Sequence, residues 1–316
     1  MKVIRVVGPA GIGKRALLKD AYEDDTIKKH FQLLVRVSFP PGIIADSSTV
    51  KKTMEENLDN ACSWRNIPRR QDARCLVLID GTSIGPTTWS KVEPELQQMA
   101  GKGSKILMTQ ASWHEQMNDG IIELKHLLRD ESKTLFNHVV GLQGKRKSAY
   151  ATLTMNEIRD NIEVITHGLP LAVVLLAKFM STVPYSKWKA ASKYIKRNCE
   201  HDLVKTILSV CIDDLPDELK SCLLYTAGLP EKRTIDAREL VRLWMAEGFL
   251  TQKQGLETEQ LGQSYLKELV YRGLLQLIRK TSTADGGRVE SVALPEQIHP
   301  LIRLEARRTS FMVLGS

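Results

Sequence analysis

Five short apolar runs punctuate the first part of the chain: Val3–Val7, Phe31–Ser38, Arg74–Asp80, Gly103–Thr109 and Ile121–Leu124. Each is brief and rich in aliphatic or β-branched residues, the pattern of strands buried on both faces. The second is stopped by Pro40-Pro41. Helical spacing alternates with these runs, opening at Ala16-Leu17-Leu18 and again over Thr49–Ala61. Alternation of this kind predicts an α/β domain with a parallel sheet covered by helices on both faces.

From Leu127 onward the strand signals stop. Leu128–Phe136 opens a helical region, the polar Gly141–Lys147 interrupts it, and Met155–Thr166 resumes it with Ile158, Ile162 and Ile165 on one face. In His167-Gly168-Leu169-Pro170-Leu171, Gly168 suits the residue after a helix end and Pro170 the first turn of the next helix. Leu169–Met180 is the longest apolar run, broken by Lys178. It falls short of the roughly 18 residues a membrane span needs, so it predicts a buried helix. Beyond residue 204, Asp217–Ala227, Ala237–Gly248 and Glu257–Arg272 are amphipathic. A hairpin follows, Leu274–Ile278 and Val289–Leu294 about a Gly286-Gly287 turn. Three helices and a two-stranded wing predict a winged helix. The expected domains are therefore 1–126, the sheet; 127–203, a small helical part; and 204–316, the winged helix.

Composition adds limits. At 42% hydrophobic and 26% charged over 316 residues, the chain has ordinary globular composition. Its five cysteines are odd in number and lack metal-type spacing, which points to a reducing, cytoplasmic setting without a disulfide framework. No signal peptide or membrane span is legible. The net charge of +8 is diffuse, with short clusters at Arg65–Arg70, Lys145–Lys147 and Arg303–Arg308 that read as solvated faces. Nucleic acid is therefore not the expected partner. Met1 stands two residues before the first strand, an abrupt start expected of an excised fragment or truncated product.

The chemistry concentrates after the first strand. Gly8-Pro9-Ala10-Gly11-Ile12-Gly13-Lys14-Arg15, followed by Ala16, matches the phosphate-loop pattern G-x-x-x-x-G-K-[ST] except at Arg15. Glycines let successive N–H groups turn around a phosphate, the helix start adds partial positive charge, and Lys14 reaches the outer phosphates. The Ser or Thr replaced by Arg15 would ligand Mg²⁺. A guanidinium cannot do so but can pair with phosphate oxygens. Asp80, at the end of the third strand, is the candidate metal-holding and catalytic carboxylate; it could equally begin an Asp-Gly turn with Gly81. Gly81 leaves no second acid there to polarise a water.

The ordered set of motifs resembles the NB-ARC domain of plant NLR disease-resistance proteins, a branch of the STAND class of P-loop switch ATPases. The resemblance covers essentially the whole chain. It is carried by Gly8–Lys14, Gly103-Ser104-Lys105-Ile106, Gly168-Leu169-Pro170-Leu171, Asp213-Asp214-Leu215-Pro216, Cys222-Leu223-Leu224-Tyr225, Arg242–Phe249 and Tyr265–Val270. It implies a P-loop NTPase-type sheet domain, a small helical domain and a winged helix folding around one ADP, with exchange for ATP releasing the winged helix and allowing assembly. It further implies that Gly8 to Lys14 cradle the β-phosphate, with Arg15 and Ala16 completing the cofactor-binding stretch, that Pro170 lies against the adenine, and that His299 contacts the β-phosphate of ADP. The implied partners are an adenine nucleotide, the signalling and repeat domains of a full-length receptor, and another NLR. The family's segment that completes the adenine pocket would precede Met1.

The departures cluster. Arg15 replaces the metal-binding hydroxyl, Gly81 a second acid, Ala111 an arginine that senses the γ-phosphate, and Pro300 the aspartate after His299. Three of the four concern Mg²⁺, water or the γ-phosphate, and loss of several such groups abolishes turnover. The expected protein is a degenerate switch holding ADP or ATP, with at most weak hydrolysis and no ordinary Mg²⁺ site. Three alternatives stay open at this level: a competent ATP-hydrolysing switch, a nucleotide-free interaction scaffold partnering another NLR, and a winged-helix nucleic-acid-binding regulator.

Overall fold

The computed structural model describes residues 2–38, 46–67, 73–80, 84–96, 99–110, 120–141, 149–198, 202–230, 234–250, 257–281, 287–309 and 311. The chain divides into two compact units, Met1–Lys125 and His126–Ser316.

The first unit runs β1 (Lys2–Val7), α1 (Lys14–Glu23), α2 (Asp25–His30), β2 (Leu33–Ser38), α3 (Ser47–Trp64), β3 (Cys75–Asp80), α4 (Pro86–Leu96), β4 (Lys105–Gln110) and β5 (Gly120–Glu123). All five expected strands are present. They form one parallel sheet in the order β2-β3-β4-β1-β5. One face packs on α3 and α4 through Val50, Met54, Leu58, Trp89 and Leu96. The other packs on α1 through Leu18 and Ala21. Helix α3 is longer than Thr49–Ala61 because Asp46 caps it, accepting from Thr49 N at 2.8 Å. Ser104 ties two strand starts together: its hydroxyl accepts from Cys75 N at 2.8 Å and donates to the Gly101 carbonyl at 2.7 Å. Arg5, in the middle of the sheet and 1% exposed, donates to Glu93 Oε2 of α4 at 3.0 Å. A cation so buried requires such a partner.

The second unit continues with α5 (Arg129–Gly141), α6 (Ala149–Asp160), α7 (Ile162–Thr166), α8 (Pro170–Thr182), α9 (Tyr185–Asn198), α10 (Leu203–Asp213), α11 (Asp217–Thr226), β6 (Ile235–Asp236), α12 (Ala237–Ala246), α13 (Thr258–Tyr271), β7 (Gln276–Lys280), β8 (Val289–Ala293) and α14 (His299–Arg308). One continuous core runs through it from Phe136 to Ala306. Helix α8 is buried nearly all round, as its composition predicts. The single helix expected over Met155–Thr166 is two helices, because the turn at Asn161 interrupts it and the Asn161 amide donates to the Glu157 carbonyl at 2.8 Å. The wing has a third strand: β6 pairs with β8, giving the antiparallel order β6-β8-β7. Two residues carry no periodicity, so β6 was invisible in the sequence. Gln263 fastens α13 to this sheet, donating to and accepting from the Val289 backbone at 3.1 Å each. Asp214, of the Asp213–Pro216 motif, receives Lys187 at 2.5 Å and Arg272 at 3.3 Å, joining α9 and α13 at the end of α10. Among the described residues no helix is long and apolar enough to cross a membrane.

Candidate functional site

Parallel pairing aligns the carboxyl ends of the central strands along one sheet edge, where open α/β sheets bind ligands. Strand β4 lies between β1 and β3, with Val6 level with Thr109 and Ile79 level with Met108. The loop after Val7, the Thr109 hydroxyl and the Asp80 carboxylate therefore meet at that edge.

The loop has a glycine at each backbone turn other side chains resist: φ is +149° at Gly8, +81° at Gly11 and +102° at Gly13. A Cβ on Gly8 would stand 3.0 Å from Ile12 Cγ2 and 3.1 Å from the Leu124 carbonyl oxygen. A Cβ on Gly13 would meet nothing within 4 Å. The backbone conformation, rather than crowding, requires glycine at Gly13, and the space over it is open. Ile12 is buried and anchors the loop. Gly13 is the N-cap of α1, and no acidic residue lies in that helix's first turn. The partial positive charge of the helix start is thus not neutralised from within its first turn. Pro9, Ala10 and Ala16 are exposed around it.

Lys14 folds back over this loop, its ammonium donating to the carbonyls of Gly8 at 2.5 Å and Pro9 at 2.9 Å. Burial, followed by the neighbouring Arg15 charge, holds its pKa below the ordinary lysine value, while Asp80 acts in the opposite direction. An anion placed here would offset both unfavourable effects by its attraction for the ammonium.

Arg15 does not point away from the sheet. Its Nε donates to Asp80 Oδ2 in an ion pair. The Thr109 hydroxyl donates to the other Asp80 oxygen at 3.0 Å. Mg²⁺ wants oxygen ligands in octahedral array. In this site one of the two positions that would face it is a guanidinium, which has only donors, and the other is the carboxylate already bound to that guanidinium. The residues do not fit Mg²⁺. The role of Thr109 was missed in the sequence, where it was only the last residue of an apolar run.

The remaining expected site residues belong to the second unit. Pro170 is the first residue of α8, and Gly168 ahead of it has φ +65°. A Cβ on Gly168 would lie 2.3 Å from the Leu127 carbonyl oxygen, and Leu127 N donates to the Gly168 carbonyl at 2.8 Å. His299 opens α14, is 2% exposed, and has Nε2 3.4 Å from the Leu229 carbonyl. Pro300 is the second residue of that helix. Gly81 and Ala111 lie outside the described residues. The structure thus brings together Gly8–Ala16, Thr109 and Asp80, all within the first unit.

Comparison with known proteins extends the picture. Residues 229–302 match the family model described as "Disease resistance protein Winged helix domain". The chain is 26% identical over 326 residues to "Disease resistance protein RGA5" of Oryza sativa subsp. japonica, covering 96% of this chain and 28% of the relative. It is 27% identical over 301 residues to "Disease resistance protein RPM1" of Arabidopsis thaliana, covering 87% and 32%. It is 32% identical over 272 residues to "Disease resistance protein PIK6-NP" of Oryza sativa subsp. japonica, covering 78% and 25%. The chain spans about a quarter to a third of the length of these curated relatives. Among solved structures, a STAND protein with a tetratricopeptide repeat sensor from Pyrococcus horikoshii has a TM-score of 0.52 at 14% identity, over 96% of this chain and 40% of that one. That likeness shows the fold, a P-loop NTPase-type sheet followed by helical and winged-helix parts. The chain therefore carries the winged-helix domain of disease-resistance proteins at residues 229–302, and its homologues are the plant NLR resistance proteins.

Proposed function

We propose that this chain is the nucleotide-binding switch module of a plant immune receptor, with an adenosine diphosphate seated on Gly8–Ala16 in its resting state. The observation that carries the reading is the loop itself. Three glycines in left-handed or near-left-handed conformation lead into the start of α1, whose first turn carries no acidic residue of its own, with Lys14 folded over them. Such a loop offers a polyphosphate backbone donors, a helix start and an ammonium group together. Hydrolysis is weak or absent in this reading, because Asp80 is engaged by Arg15 and Thr109 rather than available to a metal or water. Residues 1–126 are the nucleotide-binding part, 127–203 the helical part and 204–316 the winged helix. Pro170 and His299 are the second unit's candidate contacts to adenine and β-phosphate. The module acts in the cytoplasm within a longer receptor, alongside signalling and repeat domains and, in a paired arrangement, another NLR.

The first test is to denature freshly purified protein and identify any released nucleotide by chromatography, followed by melting with and without added ADP. A ligand that binds only the folded state raises its stability by mass action. Near-stoichiometric ADP, or a rise in Tm on adding it, supports the reading. An empty protein indifferent to ADP would replace it with the nucleotide-free scaffold, which the Arg15–Asp80 pair in the metal position specifically favours. For the second unit, an ADP off-rate unchanged by His299→Ala would remove that residue from the site.

A further inference from the structure

We propose that Arg15 is the site's own built-in cation, so that the diphosphate is bound without Mg²⁺ and in preference to the triphosphate. This rests on the nucleotide-binding reading above and concerns what that site requires. On an ordinary phosphate loop the residue after the lysine supplies a hydroxyl, and an acid at a strand end faces it across the metal. Here position 15 and Asp80 hold the same relation, but the Arg15 guanidinium spans the gap and bonds to the carboxylate itself. Thr109 takes the second carboxylate oxygen. The positive charge that neutralises Asp80 is therefore covalently part of α1.

Two consequences follow from charge alone. A Mg²⁺ ion entering the site would have to break the Arg15–Asp80 pair and then sit against a guanidinium, and like charges at contact distance repel strongly in a partly desolvated site. A nucleotide bound without metal meets Lys14 as a fixed cation, while Arg15, the next residue of the same helix, offsets the Asp80 carboxylate beside it. The second consequence concerns the number of phosphates. A guanidinium carries one positive charge where Mg²⁺ carries two, so the site compensates one anionic charge fewer. The extra charge of a γ-phosphate has no additional counter-charge there, which favours ADP over ATP. A module of this design would be biased toward the diphosphate state by its own sequence, whatever the metal concentration around it.

The test is ADP and ATP binding by calorimetry to the full chain in EDTA and in excess Mg²⁺, for the wild type, Arg15→Ser and Arg15→Lys, with Tm in the absence of nucleotide as the control for folding. Wild-type affinity for ATP equal to or above that for ADP would overturn the diphosphate preference. In the wild type, affinity in EDTA should equal or exceed that in Mg²⁺, because Mg²⁺ only withdraws free ADP by chelation. Arg15→Ser should weaken binding in EDTA by about tenfold or more and recover with Mg²⁺. Arg15→Lys, which keeps the charge, should retain binding in EDTA. Wild-type binding that appears only with Mg²⁺ would overturn the inference and leave the nucleotide site standing. Undiminished binding by Arg15→Ser in EDTA would remove Arg15 from its role. Absence of ADP binding in both buffers would overturn the nucleotide reading itself, and the inference with it. Should Arg15→Ser fail to fold, the wild-type comparison and Arg15→Lys decide.

Discussion

Lys14 is held at the loop by two carbonyl oxygens while burial and Arg15 disfavour its charge. Its lowered pKa sets the sign of two effects. In the empty protein the charged ammonium costs stability below its folded pKa, and the cost disappears as pH rises above that value. Lys14→Met should therefore raise the Tm of the nucleotide-free protein at neutral pH while abolishing the Tm rise on adding ADP; a variant still stabilised by ADP would remove Lys14 from the site. With ADP bound the charged form is the useful one. Affinity should fall with rising pH, beginning below the ordinary lysine value of 10.5, and calorimetry in buffers of different ionisation enthalpy should show proton uptake in that range. Lys14→Arg should flatten this dependence, since a guanidinium stays charged. At this scale the loop residues were fully legible, because glycine spacing encodes backbone geometry. The Arg15–Asp80–Thr109 contact was not, because it joins residues separated by 65 and 29 positions.

Helix packing in the winged-helix part gives a prediction where two effects oppose each other. Gly262 lies inside α13, where alanine is the better helix former by about 1 kcal/mol. Its Cβ, however, would stand 2.5 and 2.8 Å from the two methyls of Val241 on α12. Overpacking of this kind costs about 1–3 kcal/mol, so Gly262→Ala should lower stability, and adding Val241→Ala should recover part of the loss in a double-mutant cycle. Additive effects would show that the helices yield without strain. Asp236 illustrates a cap. It accepts from Arg238 N at 2.9 Å and Glu239 N at 3.0 Å, opening α12. The Glu239 N–H foremost holds its carboxyl below the ordinary range; burial, the next largest effect, opposes it, and the Arg238 N–H and the charges of Arg238 and Arg242 reinforce it. A depressed carboxyl pKa contributes stability that is present above the unfolded value and lost as pH falls through the folded one. Asp236→Ala should accordingly cost about 1 kcal/mol at neutral pH and progressively less in acid below about pH 4; a pH-independent difference would exclude the charged cap. The α13 and α8 patterns were plain in the sequence because one face or all faces of each are buried. By contrast α14 and β6 were missed, the first behind a cluster of arginines and the second for want of length.

Each of the two units has its own buried core, one built on the parallel sheet and the other on the helices and wing. Denaturant unfolding should then deviate from a single two-state transition. Saturating ADP should move the transition of the sheet unit, whose loop carries Lys14, and that shift should vanish in Lys14→Ala. Coincident curves from far-UV circular dichroism and tryptophan fluorescence would argue instead for one cooperative block. The net charge of +8 says little about partners at this scale, since it is spread over many exposed side chains, among them Lys28, Lys29 and Arg307.

Local pattern sufficed wherever the determining interaction is short-range. Strand runs, the alternation of strand and helix, the glycine loop, the Gly168–Pro170 turn and the amphipathic helices of the winged helix all depend on residues a few positions apart. Sheet order is different: β4 separates β1 from β3, a pairing decided by which faces can be buried together, and no stretch of sequence states it. The same holds for the fate of Arg15. Its identity excluded a metal-binding hydroxyl from the outset, but only the fold, by bringing the ends of β1, β3 and β4 to one edge, turned that loss into an ion pair standing where a metal would be.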